Sequence, residues 1–372
     1  MLPTLPTLPS LDRRQLLAAA LTAPLWPSSA FALAGTPTQT ATRRALTFPR
    51  DLGSHPDFAI EWWYITGHLR AASGEREFGF QLTFFRSRVS ATQDMQSAFA
   101  AKQLIFAHAA VTDVAGQKLL HDQRIAREGF GLAQASQSDT AVHLRGWSLV
   151  REATQYRAVA SGQGFNFELG LRETQPLLLQ GDQGWSRKGP DEKQGSFYYS
   201  LPQLQVKGTL ALAGQPIAVE GTAWLDHEWS HEMLPPQAVG WDWIGMNLLD
   251  GSALTAFRLR DKSGNALWDG GSYRPPGMGA ATQVFNPGEV RFTPVRHWTS
   301  PLTQARYPVQ WTVQTPLATY TVKAVIDQQE LDSRVSTGAV YWEGLCELLD
   351  SHVSLVGRGY LEMTGYASPL RL

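Results

Sequence analysis

The fold follows from the stretch Glu61-Trp62-Trp63-Tyr64-Ile65-Thr66-Gly67-His68-Leu69, which alternates in the way of a β-strand. A second stretch repeats the pattern as Gly240-Trp241-Asp242-Trp243-Ile244-Gly245-Met246-Asn247-Leu248. Each copy precedes a turn and another apolar strand, at Phe80 in one half and at Leu254 in the other. Similarity over such a long period predicts a duplicated domain rather than a short-repeat solenoid.

Short strands dominate the chain beyond residue 45. The segments that alternate or are rich in β-branched and aromatic residues are 62–69, 78–85, 103–111, 141–150, 165–171 and 204–212. Turn clusters separate them, and only 91–101 is a helix candidate. This spacing predicts an all-β fold with few helices, built as two tandem β-barrels packed together. We expect roughly nine strands in the first half and eight in the second.

Pro235-Pro236 marks the predicted junction between the barrels, because two prolines suit neither a helix interior nor a central strand. The sequence therefore predicts a first barrel over residues 45–234 and a second over 237–372. Barrels of about eight strands are filled by side chains or hold one small ligand.

Residues 1–34 have the three parts of an export signal. Asp12-Arg13-Arg14-Gln15-Leu16-Leu17 places a twin arginine before a short apolar run, and small residues follow up to Ala32 and Ala34. The arginine pair predicts the twin-arginine route, and thus a periplasmic or secreted protein. No later segment reaches the roughly 18 apolar residues of a spanning helix, so we expect no membrane span in the mature chain.

Composition limits the partners. The formal net charge is −1 and only 17% of the 372 residues are charged, which argues against nucleic acid as a partner. Because the chain is neither basic nor strongly acidic, we expect its partner to be a small molecule or another protein. The single cysteine, Cys346, excludes an intramolecular disulfide and is predicted to be a buried strand residue. We expect no cofactor.

The segment Asp226-His227-Glu228-Trp229-Ser230-His231 has two chemical interpretations. His227-Glu228-x-x-His231 matches the zinc-protease motif, which needs a helix so that both imidazoles share one face. The preceding residues alternate as a strand, which would separate the two histidines by about 13 Å. The other interpretation takes Asp226 and His227 as proton-transfer residues beside Trp229, although they could equally satisfy buried polar groups at a domain joint.

Two further clusters are candidate ligand-binding sites. The cluster in the first half comprises Glu61, Trp62, Tyr64, Gln81, Arg86 and His108. Its counterpart in the second half comprises Trp241, Asp242 and Trp243. We expect Glu61 and Arg86 to pair across adjacent strands, with Trp62 and Tyr64 on one face. Asp242 lies between two indoles, where poor solvation would raise its pKa and make it an acid, unless it points outward. Aromatic stripes of this kind are more often core than site.

These motifs, together with Ala107-His108-Ala109, Tyr198-Tyr199-Ser200 and Tyr360-Leu361-Glu362-Met363-Thr364-Gly365-Tyr366, resemble the lipocalin-like AttH and carotenoid 1,2-hydratase superfamily. The resemblance implies two lipocalin-like (calycin) barrels, relatives that are hydratases or cyclases, and an association with ABC transporters. In the carotenoid hydratases a His-x-Trp pair is thought to act with a Tyr-x-Asp pair. This chain has His227 and Trp229, but it has Leu254-Thr255-Ala256 where the partner is expected.

Three hypotheses follow in order of preference. The first is an exported carrier that encloses an apolar, lipid-like or isoprenoid-like molecule, accessory to an ABC-transporter permease. The second is a hydratase, isomerase or cyclase that uses acid catalysis, with Asp226, His227, Trp229 and Asp242 as candidate catalytic residues. The third is a zinc hydrolase with His227 and His231 as ligands.

Overall fold

The chain is all-β, as predicted. The computed structural model describes residues 43–232, 234–277 and 279–370, so the predicted export signal at 1–34 lies outside the described residues. Across those ranges the only helices are two single 3₁₀ turns, Arg50–Leu52 and Ser90–Thr92. No helix in the described part of the chain is long and apolar enough to span a membrane.

Thirteen strands form the first sheet and ten form the second. The strands of the first sheet are β1 Ile60–Ala71, β2 Glu77–Arg88, β3 Gln103–Asp113, β4 Lys118–Arg127, β5 Ala133–Ala135, β6 Ala141–Leu144, β7 Trp147–Glu152, β8 Gln155–Gly162, β9 Phe165–Arg172, β10 Leu178–Leu179, β11 Trp185–Arg187, β12 Gly195–Leu212 and β13 Gln215–Ser230. The strands of the second sheet are β14 Gly240–Leu248, β15 Ala253–Arg260, β16 Ala266–Arg274, β17 Gln283–Phe285, β18 Arg291–Thr299, β19 Arg306–Gln314, β20 Thr319–Ala324, β21 Glu330–Ser333, β22 Ala339–Leu349 and β23 Leu355–Met363.

The two sheets have related topologies. The first runs in the order β4-β3-β2-β1-β13-β12-β9-β8-β7-β6-β5, and the second in the order β17-β16-β15-β14-β23-β22-β20-β19-β18. In each sheet the first strand pairs with the last, β1 with β13 and β14 with β23, and these pairs are antiparallel. Each sheet curls around a separate apolar core, which confirms the predicted tandem barrels. The first is nearly closed, since Arg124 of β4 donates a hydrogen bond to the Ser161 carbonyl of β8.

Strand alternation gives each barrel an inner and an outer face. On β1, Trp63 and Ile65 pack into the first core, whereas Tyr64 faces the other way and packs against Trp243 of the second barrel. The barrels meet along a surface that we call the seam, formed by the outer faces of β1, β2, β3, β12 and β13 and those of β14, β15, β22 and β23. Trp62 and Tyr64 therefore share a face, as predicted, with Trp63 opposite.

Three details of the sequence-based expectation are wrong. Residues 91–101 form no α-helix, only turns after the short 3₁₀ segment. The segment 141–150 contains two strands instead of one, because Arg145 and Gly146 have positive φ and form a hairpin turn between β6 and β7. The strand counts were underestimated, since very short strands such as β10 and β21 carry no readable alternation.

Candidate functional site

A cavity of about 310 Å³ lies in the seam between the barrels. Its walls are mostly apolar and aromatic, but several titratable side chains also face it. The residues that line it include Trp62, Tyr64, Thr83, Phe85, His108, Lys188, Tyr198, Asp226, Glu228, Trp241, Trp243, Phe257, Tyr341, Glu343 and Glu362. An apolar pocket with a few converging polar groups is typical of a small-molecule site.

Asp226 is held in the first-barrel wall by three neutral donors. Its Oδ1 accepts hydrogen bonds from Ser200 Oγ at 2.5 Å and Trp224 Nε1 at 2.6 Å, while Tyr198 Oη donates to Oδ2 at 2.7 Å. Burial outweighs these bonds and raises the pKa of Asp226 to about 7. Because no cationic side chain among the described residues contacts this carboxyl group, it is available in both protonation states near neutral pH.

Lys188 and Glu228 form an ion pair in the same wall. Lys188 Nζ lies 2.9 Å from Glu228 Oε1, and Ser196 Oγ donates to the same oxygen. The ammonium group also lies over the rings of Tyr198 at 5.1 Å and Phe257 at 4.5 Å. Both partners are about 5% exposed, so the pair adds strong local polarity without net charge.

The second barrel contributes two carboxyl groups. Glu343 on β22 and Glu362 on β23 are directly opposite one another in the register of the second sheet. Burial and the neighbouring Glu362 raise the pKa of Glu343 well above its ordinary value, and burial raises that of Glu362 to about 8. Gln81 of the first barrel donates from Nε2 to Glu343 Oε2 at 2.8 Å, which ties the two walls together.

His108 is a link between the barrels. Its Nδ1 bonds to the Tyr341 hydroxyl, and its Nε2 lies 2.8 Å from Ser336 Oγ. Burial lowers the pKa of His108 to about 3, so the imidazole is neutral at physiological pH. Its role in this structure is to join β3 to β22 and to the loop that precedes it.

Glu61, by contrast, belongs to a network on the inner side of the first barrel. Arg86 Nε lies 2.8 Å from its Oε2, as predicted, while His55 Nδ1 at 2.7 Å and His227 Nε2 at 2.9 Å both contact Oε1. Since both imidazoles donate to one oxygen, His227 Nδ1 must accept from Tyr199 Oη, 2.9 Å away. Burial lowers the pKa of His227 to about 4, which keeps this imidazole neutral.

The predicted catalytic cluster around Asp226 is therefore divided between two sites. Asp226 and Glu228 face the seam cavity, but His227 and Trp229 point into the first core, where Trp229 stacks on His55 at 3.7 Å. Adjacent strand residues face opposite sides of a sheet, so these side chains do not converge. The grouping of His227 and Trp229 with Asp226 was wrong.

The zinc hypothesis fails on the same geometry. His227 is within β13 and His231 follows its end, so no helix aligns the two imidazoles. His227 stacks on Trp63, whereas His231 stacks on Phe58 at 4.5 Å. His55, Glu61 and His227 do place three ligand atoms within 4.8 Å of one another, but those atoms already bond to each other and Arg86 supplies the positive charge.

Asp242 is not a free acid. It points into the second barrel, where Arg258 Nε lies at 2.7 Å and Arg260 Nε at 3.0 Å from Oδ2. Tyr366 Oη donates to Oδ1 at 2.9 Å. Two guanidinium groups contact this carboxyl group, so Asp242 is not the isolated acid between two indoles that the sequence predicted. Its position matches that of Glu61, since each is a buried carboxyl group that contacts an arginine on the adjacent strand.

The other candidate residues lie at the seam in most cases. The cavity is lined by Trp62, Tyr64, His108, Trp241 and Trp243, and one end of it is reached by Glu61 and Arg86. Gln81 contacts the site through its hydrogen bond to Glu343. Sequence reasoning missed Lys188, Tyr198, Glu343, Glu362 and Phe257. Tyr198 and Glu362 belong to motifs that carry the family resemblance, but nothing in the sequence indicated that the seam would bury them.

Together, the two barrels and the acidic side chains between them define a structural class: double-barrel proteins with a cavity at the seam. The family model described as AttH-like matches residues 39–366, and the chain belongs to this family. A crystal structure assigned to AttH of Nitrosomonas europaea is 47% identical, with a TM-score of 0.81, and the match covers 88% of this chain and 99% of that one.

A second solved structure shares the fold alone. Kievitone hydratase from Nectria haematococca is 13% identical, with a TM-score of 0.68, over 87% of this chain and 94% of that one. A search of curated proteins found no match.

Proposed function

We propose that this protein is an acid–base enzyme of the hydratase, isomerase or cyclase class, acting in the seam cavity on an unsaturated and mostly apolar small molecule. The observation that carries the proposal is the Asp226 carboxyl, which faces an aromatic cavity and has a pKa of about 7. A group with such a pKa gives up and takes back a proton with similar ease at neutral pH.

The chemistry needs one proton donor and a surface that tolerates positive charge. Asp226 would transfer its proton to one carbon of a double bond, leaving a cation on the other carbon. The aromatic side chains of Trp62, Trp241 and Phe85 line the cavity and would stabilise that charge, with the Glu228 carboxylate nearby. In a hydration, water bonds to the cation and returns a proton to Asp226; in an isomerisation, an adjacent C–H proton returns instead.

The carrier hypothesis is the second candidate, and the size and apolar lining of the cavity favour it. A carrier, however, needs few polar contacts, whereas three carboxyl groups with raised pKa values face this cavity. Burying such groups is costly and would serve no purpose in simple enclosure. The hydratase activity of a protein with the same fold also fits the enzyme proposal.

Two parts of the proposal rest on the sequence. We propose that the twin-arginine signal exports the protein to the periplasm or beyond. We also propose an ABC-transporter permease as its partner, on the family resemblance alone.

The experiment uses the mature protein and an apolar extract of its host, incubated in ¹⁸O-labelled or deuterated water and followed by mass spectrometry. A hydratase gives products with one labelled oxygen, and an isomerase or cyclase gives deuterium on carbon. Asp226→Asn is expected to abolish labelling, because it removes the transferable proton. Asp269→Asn is the matched control, since Asp269 is also a buried acid with a raised pKa but lies outside the seam cavity.

Two other results of the labelling experiment would contradict the proposal in whole or in part. Ligand that is retained unchanged, with no label in any product, would support a carrier and contradict the enzyme proposal. Labelling by Asp226→Asn at the wild-type rate would mean that another group transfers the proton.

A further inference from the structure

Two buried hydrogen-bonding atoms face the seam cavity without a partner. Tyr64 is 5% exposed and Glu343 3%, yet neither Tyr64 Oη nor Glu343 Oε1 has a well-formed hydrogen bond within the described residues. The two groups lie close enough to each other to shift one another's pKa, so a single ligand atom can reach both. Both residues line the cavity, Tyr64 from the first barrel and Glu343 from the second. Buried polar atoms are nearly always bonded, so two such atoms at one cavity indicate a place for a ligand atom.

Gln81 fixes which oxygen of Glu343 is free. Its amide nitrogen donates to Glu343 Oε2 at 2.8 Å and to Thr83 Oγ1 at 3.0 Å, so both amide hydrogens are used. Oε2 is therefore an acceptor in this arrangement. When Glu343 is protonated, its hydrogen resides on Oε1, the oxygen without a partner.

The surroundings keep hydrogen on both groups. Burial and the facing Glu362 raise the pKa of Glu343 well above its usual range. Burial and Glu343 raise the pKa of the Tyr64 phenol well above 10.0. Both groups are therefore neutral donors at physiological pH. An apolar site that keeps a carboxylic acid neutral turns it into a hydrogen-bond donor.

We propose that Tyr64 Oη and Glu343 Oε1 form a two-donor site that binds a carbonyl oxygen of the ligand. The inference rests on the proposed function and names its substrate class: an apolar ketone or aldehyde whose carbonyl is conjugated to the reacting double bond. A hydroxyl group would fit less well, because two donors leave its own hydrogen without an acceptor.

With a conjugated carbonyl compound Asp226 moves the same proton in the opposite order, first as a base and then as an acid, and no carbocation forms. When water bonds to the β-carbon of a conjugated carbonyl, the double-bond electrons shift toward oxygen, which gains negative charge. Two donors preorganised in a dry cavity stabilise that charge. Asp226 takes the proton lost by the water and supplies one to the α-carbon. The net reaction is substrate plus water giving the β-hydroxy carbonyl compound, with no other reactant.

The test compares two probes of similar shape, 2-acetylnaphthalene and 2-ethylnaphthalene. Binding is measured by titration, and the infrared carbonyl stretch of the bound ketone reports hydrogen bonding. We expect the ketone to bind more tightly than the hydrocarbon, with its stretch shifted to lower frequency. Tyr64→Phe and Glu343→Leu are each expected to weaken ketone binding about tenfold, the size of one hydrogen bond, and to reverse part of the shift.

Glu343→Gln is the conservative variant. Its amide oxygen can accept from Gln81 while its N–H group takes the place of the Oε1 hydrogen, so we expect ketone binding within about threefold of wild type. Binding of 2-ethylnaphthalene should be the same in all variants, which controls for cavity shape and folding.

The outcomes separate this inference from the proposed function. If neither probe binds, the seam cavity is not a ligand site and both proposals fail. If both probes bind equally and the carbonyl stretch is unshifted, the two-donor site is wrong while the role of Asp226 stands. If Glu343→Gln loses as much affinity as Glu343→Leu, Glu343 does not donate, and the inference is overturned.

Discussion

Two buried carboxyl groups on adjacent strands show how neighbours set protonation at the scale of single residues. Asp226 and Glu61 are 4% and 0% exposed, so burial opposes ionisation of both. Burial prevails at Asp226, whose partners Ser200, Tyr198 and Trp224 are neutral, and its pKa rises. At Glu61, hydrogen bonds from His227 and His55 and the charges of His55 and Arg86 prevail over burial and lower the pKa. Glu61 thus has the guanidinium group of Arg86 among its partners, whereas the three hydrogen-bond donors to Asp226 are all neutral.

The raised pKa of Asp226 makes a prediction about stability. The unfolded state ionises near pH 4 and the folded state near pH 7, so the acid form stabilises the fold at low pH and this contribution is lost as pH rises through 7. The size is about 1.4 kcal/mol per unit of pKa shift. We expect Asp226→Asn, measured by urea unfolding, to gain stability relative to wild type between pH 4 and pH 8. An identical pH dependence in the two proteins would contradict the raised pKa.

At the scale of elements, the central strands depend on small residues where two backbones approach closely. Gly359 of β23 lies against β14, and a Cβ atom at this position would overlap the Gly245 carbonyl oxygen. At Gly170 of β9 the nearest atom to such a Cβ would be the Lys207 carbonyl oxygen at 3.6 Å, an ordinary contact. Both glycines are strand residues without a positive φ, so sterics alone distinguish them.

We therefore expect Gly359→Ala to destabilise the protein by about 1–3 kcal/mol, the usual range for overpacking. Gly170→Ala is the matched control and should leave the free energy of unfolding nearly unchanged. Thermal or urea denaturation of the two variants measures the difference. Equal stability of both variants would show that β14 and β23 lie farther apart than in this structure.

At the scale of the whole molecule, the barrels are joined by hydrogen bonds as well as by apolar contact. Asn247 of the second barrel donates to the Ala223 carbonyl at 3.0 Å and accepts from the Gln203 backbone N–H at 2.8 Å. Gln203 in turn donates to the carbonyls of Leu248 and Ser252. Loss of these bonds would leave buried groups unpaired in both barrels, so the barrels should unfold together.

Calorimetry is therefore expected to give a single unfolding transition. Asn247→Ala should lower the midpoint of that whole transition, since each orphaned buried group costs about 1–3 kcal/mol. Asn286→Ala, at an exposed position away from Asn247, is the control and should have little effect. Two separated transitions, or a shift confined to one of them, would mean that the barrels are independent.

The sequence alone determined the all-β class, the duplication and the relative faces of Trp62, Trp63 and Tyr64 on β1. Alternation with period two is a local property, so Trp62 and Tyr64 could be assigned to one face and Glu61 paired with Arg86. The same rule, applied to β13, separates Asp226 from His227; the error there was to group neighbours in sequence. Asp242 was misjudged because its arginine partners on β15 were not considered.

Only the tertiary structure decided the candidate site. Glu343 and Glu362 stand at outward positions of their strands, where a charged residue is ordinary in an isolated barrel. Packing of the first barrel against that face removes water from them, changes their protonation and brings them to the same cavity as Asp226. Burial between domains depends on contacts among strands far apart in the chain, and no local pattern of residues encodes it.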